Sequence, residues 1–298
     1  MSEYIIYTVQ IAEKFLSEPM GSKAKFWCLQ PVTGTRWLFK YKRENSGEDW
    51  SEKIASEIAE LLFIPHAVVE LAQCQGKNGI ISKDITNGGI IGQLVHGNEL
   101  LAEIDPKYPI HGNYKVPEHS VVKISEALGR PYIHSPSSIS PYLVSDPKDL
   151  FLGYLFLDAL IGNVDRHHEN WAVLSSPDKS GIYAELAPTF DHASSLGREL
   201  TEQKRSELLK NHEDFIRYLD RGKSAIYVSG NKVSPIGAFQ EFSKECSTRD
   251  IWLDRLDKID DSKFGEVIEK MPASIMSSDT RAFVCKILIE NKKRLLSR

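Results

Sequence analysis

The stretch Gly162-Asn-Val-Asp165-Arg-His-His-Glu-Asn170, answered further along by Phe190-Asp191-His192, decides how this chain folds. It sets a dense group of polar side chains between two apolar segments, Phe151–Ile161 and Trp171–Leu174. Burying so many polar groups without purpose is costly. Between the two halves, Trp171–Leu174 and Ile182–Leu186 flank Ser175-Ser-Pro-Asp-Lys-Ser-Gly181, a hairpin signal. A hairpin returns the chain on itself. Asn170 and Asp191 are therefore expected near each other at its open end, with Asp165 on the loop that leaves the apolar helix.

The spacing Asp-x-x-x-x-Asn, followed by an aspartate beyond a hairpin, is the one that phosphoryl transfer uses in kinases. That chemistry asks for three oxygen-bearing groups. One carboxylate, Asp165, orients the acceptor hydroxyl and takes its proton. An amide oxygen and a second carboxylate, Asn170 and Asp191, suit Mg²⁺, a hard octahedral ion that takes few protein ligands beside phosphates and water. The phosphates also need a cation, and the strand-like Arg36-Trp-Leu-Phe-Lys40-Tyr-Lys42 supplies Lys40 among large apolar neighbours. The next helix offers Glu52 and Glu57 as its partner; they point to different faces, and periodicity does not choose between them. Upstream, Met20-Gly-Ser-Lys-Ala-Lys25 sits before the strand Phe26–Gln30, and its small residues let backbone N–H groups approach a phosphate.

Around this cluster the chain divides in two. Residues 1–85 read as a small lobe of strand, strand, helix, strand, strand. Its elements are Lys25–Gln30 and Thr35–Lys42, the helix Glu48–Leu62 closed by Pro65, then Ala67–Ala72 and Gly79–Lys83. Residues 86–298 read as mainly helical, with helices at Leu94–Ile104, His119–Leu128, Pro147–Leu160, Ser206–Leu219, Gln240–Asp250 and Thr280–Leu296 around the single hairpin. The expected class is α+β and two-lobed: a small β-rich N-lobe and a larger α-helical C-lobe.

Composition excludes several functions. At 298 residues and 41 % apolar content the chain can bury a core without a disulfide or zinc staple. A net charge of −4 leaves no basic field to mark a nucleic-acid binder. Cys28, Cys74, Cys246 and Cys285 are scattered, which suits reduced thiols in the cytoplasm. Met1–Phe15 is no signal peptide. The apolar run Leu150–Gly162, broken by Asp158, is shorter than the ~20 residues that cross a bilayer, so no membrane partner is expected. The absence of HExxH argues against a metal hydrolase at His167, His168 and His192. Ser194 and Ser195 lack the G-x-S-x-G context of a nucleophile.

These residues resemble the HipA-type kinases, bacterial serine/threonine kinases that supply the toxins of toxin–antitoxin pairs. The likeness is clearest in Asn163–Asn170 and in Ala187-Pro-Thr-Phe-Asp-His-Ala193, and extends to Leu62-Phe-Ile-Pro65 and Lys107-Tyr108. It implies a protein-kinase-like fold, ATP and Mg²⁺ as cofactors, and a protein serine or threonine as acceptor. It makes Asp165 the catalytic aspartate, and His167, His168, Glu169 and Asn170 the lining of the phosphates. Phe190-Asp191 becomes the second metal-binding element, Met20, Gly21, Ser22, Lys23 and Lys25 the phosphate loop, and Lys40 the nucleotide lysine. Alignment on Leu62–Pro65 places the helix glutamate at Glu52. It also puts the adenine-binding hinge at Ser82, Lys83, Asp84 and Ile85, with Ile90–Val95 as runner-up. Eukaryotic HRD, DFG and APE motifs are absent. The phosphate-loop serine that some members autophosphorylate falls at Glu18. The resemblance leads one to expect that the small N-terminal subdomain of longer members is missing, with an antitoxin or a subdomain-like protein as the implied partner. Lipid or small-molecule kinases and nucleotide-binding pseudokinases share the same residues and are the alternatives.

Overall fold

The computed structural model describes residues 2–10, 16–17, 24–110, 115–136, 144–178 and 181–297. The N-lobe is a six-stranded sheet with one helix. Its strands are β1 (Ile6–Thr8), β2 (Leu16–Ser17), β3 (Lys25–Leu29), β4 (Arg36–Tyr41), β5 (Val69–Cys74) and β6 (Lys77–Lys83), in the order β1-β5-β6-β4-β3-β2. The β3–β4 hairpin follows from alternation: Phe26, Cys28, Trp37 and Phe39 are buried on one face. Its turn is pinned by Gln30, whose Oε1 accepts from the N–H groups of Val32 and Thr33. Sequence reading missed β1 and β2. They are too short for periodicity to show, and β1 exists through its parallel pairing with β5.

Helix α1 (Glu48–Leu61) belongs to both lobes. Its apolar stripe, Trp50, Ile54, Ala55, Ile58 and Ala59, joins the same hydrophobic core as the C-lobe helices. It stops where Phe63 adopts a left-handed backbone, φ 54°.

The C-lobe contains β7 (Gln93–His96), α2 (Gly97–Ile104), α3 (Val121–Leu128), β8 (Ile133–His134), α4 (Pro147–Ile161), β9 (Ala172–Asp178), β10 (Gly181–Leu186), α5 (Glu202–Lys210) and α6 (His212–Arg221). It continues through β11 (Tyr227–Val228), β12 (Asn231–Lys232), α7 (Pro235–Phe242), a 3₁₀ turn (Ser243–Glu245), α8 (Arg249–Asp257), α9 (Asp261–Glu269) and α10 (Ser278–Leu296). Helix α4 lies at the centre, buried along its whole length. Asp146 caps its start, Pro147 occupies its first turn, and Gly162, φ 67°, ends it in the left-handed conformation that glycine adopts without strain. No helix among the described residues is long and apolar enough to cross a membrane.

Three expected elements differ. The hairpin forms, as β9 and β10, within a four-stranded sheet of order β7-β9-β10-β8. Leu94 and Val95 are drawn out of the expected helix Leu94–Ile104 because they pair with Leu174 and Val173. Ser206–Leu219 divides at Asn211, whose extended backbone closes α5 while its side chain accepts from Asp214 N to open α6. The expected helix Gln240–Asp250 breaks because the Asp149 carboxylate on α4 binds the N–H groups of Ser247 and Thr248.

Candidate active site

The loop after α4 is organised by one buried acid. Asp158, within the apolar run of α4, takes a fork of two 2.8 Å bonds from Arg166 Nε and Nη2, and a third from Asn163 Nδ2. Arg166 is fully buried, and such bidentate pairs are the strong, geometrically specific ones. Its remaining Nη1 donates to Asn170 O and to Phe190 O. One guanidinium therefore clamps both ends of the hairpin together. Sequence reading passed over Asp158 and Arg166 as site residues; the available signal was the one acid that breaks the apolar run Leu150–Gly162, shortly before an arginine.

Asn170 donates its Nδ2 to Asp165 O at 2.8 Å, which leaves its Oδ1 without a hydrogen bond among the described residues. Across the hairpin, Asp191 has a left-handed backbone, φ 58°, a conformation that costs energy outside glycine and persists where surroundings enforce it. From the N-lobe, Lys40 Nζ lies 2.9 Å from Glu52 Oε1 and 3.6 Å from Asp191 Oδ1. Burial alone would lower the Lys40 pKa, but the Asp191 and Glu52 carboxylates outweigh it and hold the ammonium charged well above its usual range. Glu52 is 2 % exposed and Asp191 37 %, so Asp191 is the more solvent-exposed of the two carboxylates. Glu57 is used elsewhere: it binds Lys53, which also reaches Val69 O and Glu70.

A charge-assisted hydrogen bond contributes about 1.5–3 kcal/mol, so Glu52→Gln is expected to weaken nucleotide affinity roughly 10–100-fold. Glu57→Gln should leave it within about twofold. Calorimetric titration of both variants checks this, and equal effects would remove the distinction.

Asp165 faces a different set of groups. Ser194 Oγ donates to its Oδ2 at 3.3 Å, and Arg198 Nη2 donates to Ser194 Oγ at 3.2 Å. Arg198 also pairs with Glu48 at 3.0 Å, and Ser51 Oγ lies 2.9 Å from Ser195 Oγ. These bonds tie the first turns of α1 to the loop beyond Asp191, so the helix bearing Glu52 and the loop bearing Asp191 are held as a unit.

The remaining expected site residues divide. Ile85 and Phe190 pack with Leu94 against Ala172, Leu174 and Ala187, an apolar shelf between the lobes. Lys83 N and Asp84 N are bound to Val68 O and Arg36 O. The Asp84 carboxylate is taken up by Thr86, Gly88 and Arg36. Ser82 lies within β6. Of the four expected hinge residues, the structure brings Ile85 to the shelf. Lys25 stands opposite Lys40 in the β3–β4 register. Met20, Gly21, Ser22 and Lys23 lie outside the described residues. Glu169 accepts from His96 through its carbonyl, and Glu169 N donates to His167 Nδ1.

His168 is buried, 3 % exposed, beside Tyr108 and His119. Its Nδ1 meets Tyr108 OH at 2.8 Å. Beside it, the Trp171 indole donates to His119 Nε2 at 3.1 Å. An indole N–H can only donate, so His119 is neutral, with its Nδ1–H on Ala225 O. Burial pushes His119 down to about 3 and His168 to about 4. Between those values and the unfolded value near 6.5, the unfolded chain binds protons that the folded chain does not. Stability present at neutral pH is therefore lost as the pH falls. Unfolding free energy should drop by roughly 2–4 kcal/mol between pH 7 and pH 5; a flat urea midpoint over that window would contradict neutral histidines.

The fold has counterparts among solved structures. A Helicobacter pylori proinflammatory kinase, CtkA, superposes with a TM-score of 0.73 at 19 % identity, covering 98 % of this chain and 96 % of that one. HipA of a Shewanella oneidensis toxin–antitoxin system, solved with HipB and operator DNA, superposes with a TM-score of 0.57 at 13 % identity. The fold is that of the HipA-type kinases. At these identities the shared property is the fold, and the chain spans 64 % of the Shewanella HipA. No family model matches the sequence, and no curated protein matches it. In this HipA-type fold the N-lobe sheet and α1 carry Lys40 and Glu52, and the C-lobe loops carry Asp165, Asn170 and Asp191.

No group of three or more His, Cys, Asp or Glu among the described residues is placed to hold a metal by itself. The donor set fits Mg²⁺ nonetheless, because that ion takes one or two protein oxygens and completes its shell with phosphates and water. The Asp191 carboxylate and the Asn170 Oδ1 are such oxygens.

Proposed function

We propose that this protein is an ATP-dependent kinase that phosphorylates serine or threonine of a protein. The observation that carries the reading is Lys40 held between Glu52 and Asp191 while Arg166 joins Asn170 and Phe190 beside Asp165. Lys40 offsets phosphate charge from the N-lobe, and the shelf of Ile85, Leu94 and Phe190 receives the base. Asn170 and Asp191 would hold Mg²⁺, which when bound neutralises charge on the phosphates. Asp165 accepts the hydroxyl proton as the acceptor oxygen bonds to the γ-phosphorus and the bond to the leaving ADP oxygen breaks. Ser194 and Arg198 hold Asp165 oriented for that transfer.

The test is incubation with γ-labelled ATP and mixed acceptors. Label in protein, at phosphoserine or phosphothreonine, supports the reading. Label confined to lipid or small molecules, or nucleotide binding without transfer, overturns it. The likeness to the Shewanella HipA also supports a toxin role with an antitoxin partner. Growth arrest on expression of the wild type but not of Asp165→Asn is the expected result.

A further inference from the structure

A cavity of about 710 Å³ opens between the loop Ser194–Glu199, the end of α6, the start of α7 and one side of α10. Asp165 and Ser194 line it, whereas Lys40, Glu52, Asn170 and Asp191 do not. It is thus reached from the side of Asp165 that the nucleotide-binding groups leave free, and its volume lies within the range of ligand pockets. Ala159, Ile161 and Leu196 are its buried apolar lining, and Leu219, Ile236 and Ile287 extend it.

Two features show that this is more than a packing gap. Asn291 is 4 % exposed and spends its Nδ2 on Leu160 O at 3.0 Å. Its Oδ1 has no hydrogen bond among the described residues, and Asn291 lines the cavity, so a buried residue there has an acceptor to spare. The charged lining residues also divide by pairing. Arg294 binds Asp220 and Glu290, Arg198 binds Glu48, and Glu199 accepts from Tyr218. Arg221 and Lys223 form no ion pair among the described residues, which places two unpaired cations at the cavity.

We infer that this cavity is the acceptor pocket. It takes a peptide segment in which the phosphorylated serine or threonine adjoins a large apolar side chain, with an acidic residue nearby. The apolar lining receives the side chain, Asn291 Oδ1 accepts an N–H of the segment, and Arg221 and Lys223 meet the acid. The inference rests on the proposed kinase reading and adds the substrate class.

The test uses the full chain, a serine peptide array with varied flanking residues, and ATP hydrolysis without peptide, where water is the acceptor. The wild type should favour a large apolar neighbour over glycine by roughly 10-fold or more in kcat/KM. Ile236→Trp, which adds bulk at a partly buried wall, should abolish that preference. Lys223→Glu, at an exposed position that keeps the test open should Ile236→Trp not fold, should lower the preference for acidic peptides roughly 2–5-fold. Preferences that survive both substitutions, or transfer to small hydroxyl compounds and not to peptides, overturn the pocket assignment. A wild type that neither binds nor hydrolyses ATP overturns the kinase reading itself, and is distinguishable because it fails before any peptide is added.

Discussion

Asp165→Asn is expected to lower phosphoryl transfer by roughly 10²–10⁴-fold, the usual effect of removing a positioned general base. The substitution is nearly isosteric, so the backbone bonds from Asp165 N to Asn163 Oδ1 and from Asn170 Nδ2 to Asp165 O can persist. Lys40, Glu52 and Asp191 are untouched, and ATP binding should stay within about threefold of the wild type. The asparagine can still accept from Ser194, but it cannot take a proton from the acceptor. Single-turnover transfer measured beside calorimetric nucleotide binding separates the two effects. Undiminished turnover would remove Asp165 from the mechanism.

Arg166→Met should be the most damaging change to stability, by about 3–5 kcal/mol in urea unfolding. It leaves the Asp158 carboxylate buried with Asn163 Nδ2 as its remaining side-chain donor. It also releases Asn170 O and Phe190 O, so the two ends of the hairpin lose their common anchor. The double variant Asp158→Leu with Arg166→Met should recover part of the stability, because an apolar pair removes the unpaired charge. It should not recover transfer, since nothing then ties Asn170 to Phe190. A loss below about 1 kcal/mol for Arg166→Met would mean that the pair is not what holds this loop.

Much of the fold was legible in local chemistry. Helix α4 announces itself by an apolar run between an Asp-Pro start and a glycine stop. The β9–β10 hairpin lies where alternation and turn residues put it, and α1 follows its apolar spacing. The misreadings fall where a distant partner outweighs local preference. Leu94 and Val95 have helical neighbours, yet pairing with β9 makes them strand. Asn211 splits a run that periodicity reads as continuous, and Asp149 captures N–H groups nearly a hundred residues away. For the site, the loops bearing Asp165, Asn170 and Asp191 could be placed from spacing. The clamp of Asp158 and Arg166 could not, because an ion pair within a core leaves no periodic trace.

The residues alone determine which groups can do chemistry: oxygens spaced across a loop and a hairpin, and a lysine in an apolar strand. Periodicity left Glu52 and Glu57 as equal candidates for Lys40. The family resemblance placed the partner at Glu52, and the packing of α1 against the sheet brings Glu52 to Lys40 and Glu57 to Lys53. The reason is distance: charge pairing acts over a few ångströms, and only three-dimensional packing determines which side chains come that close.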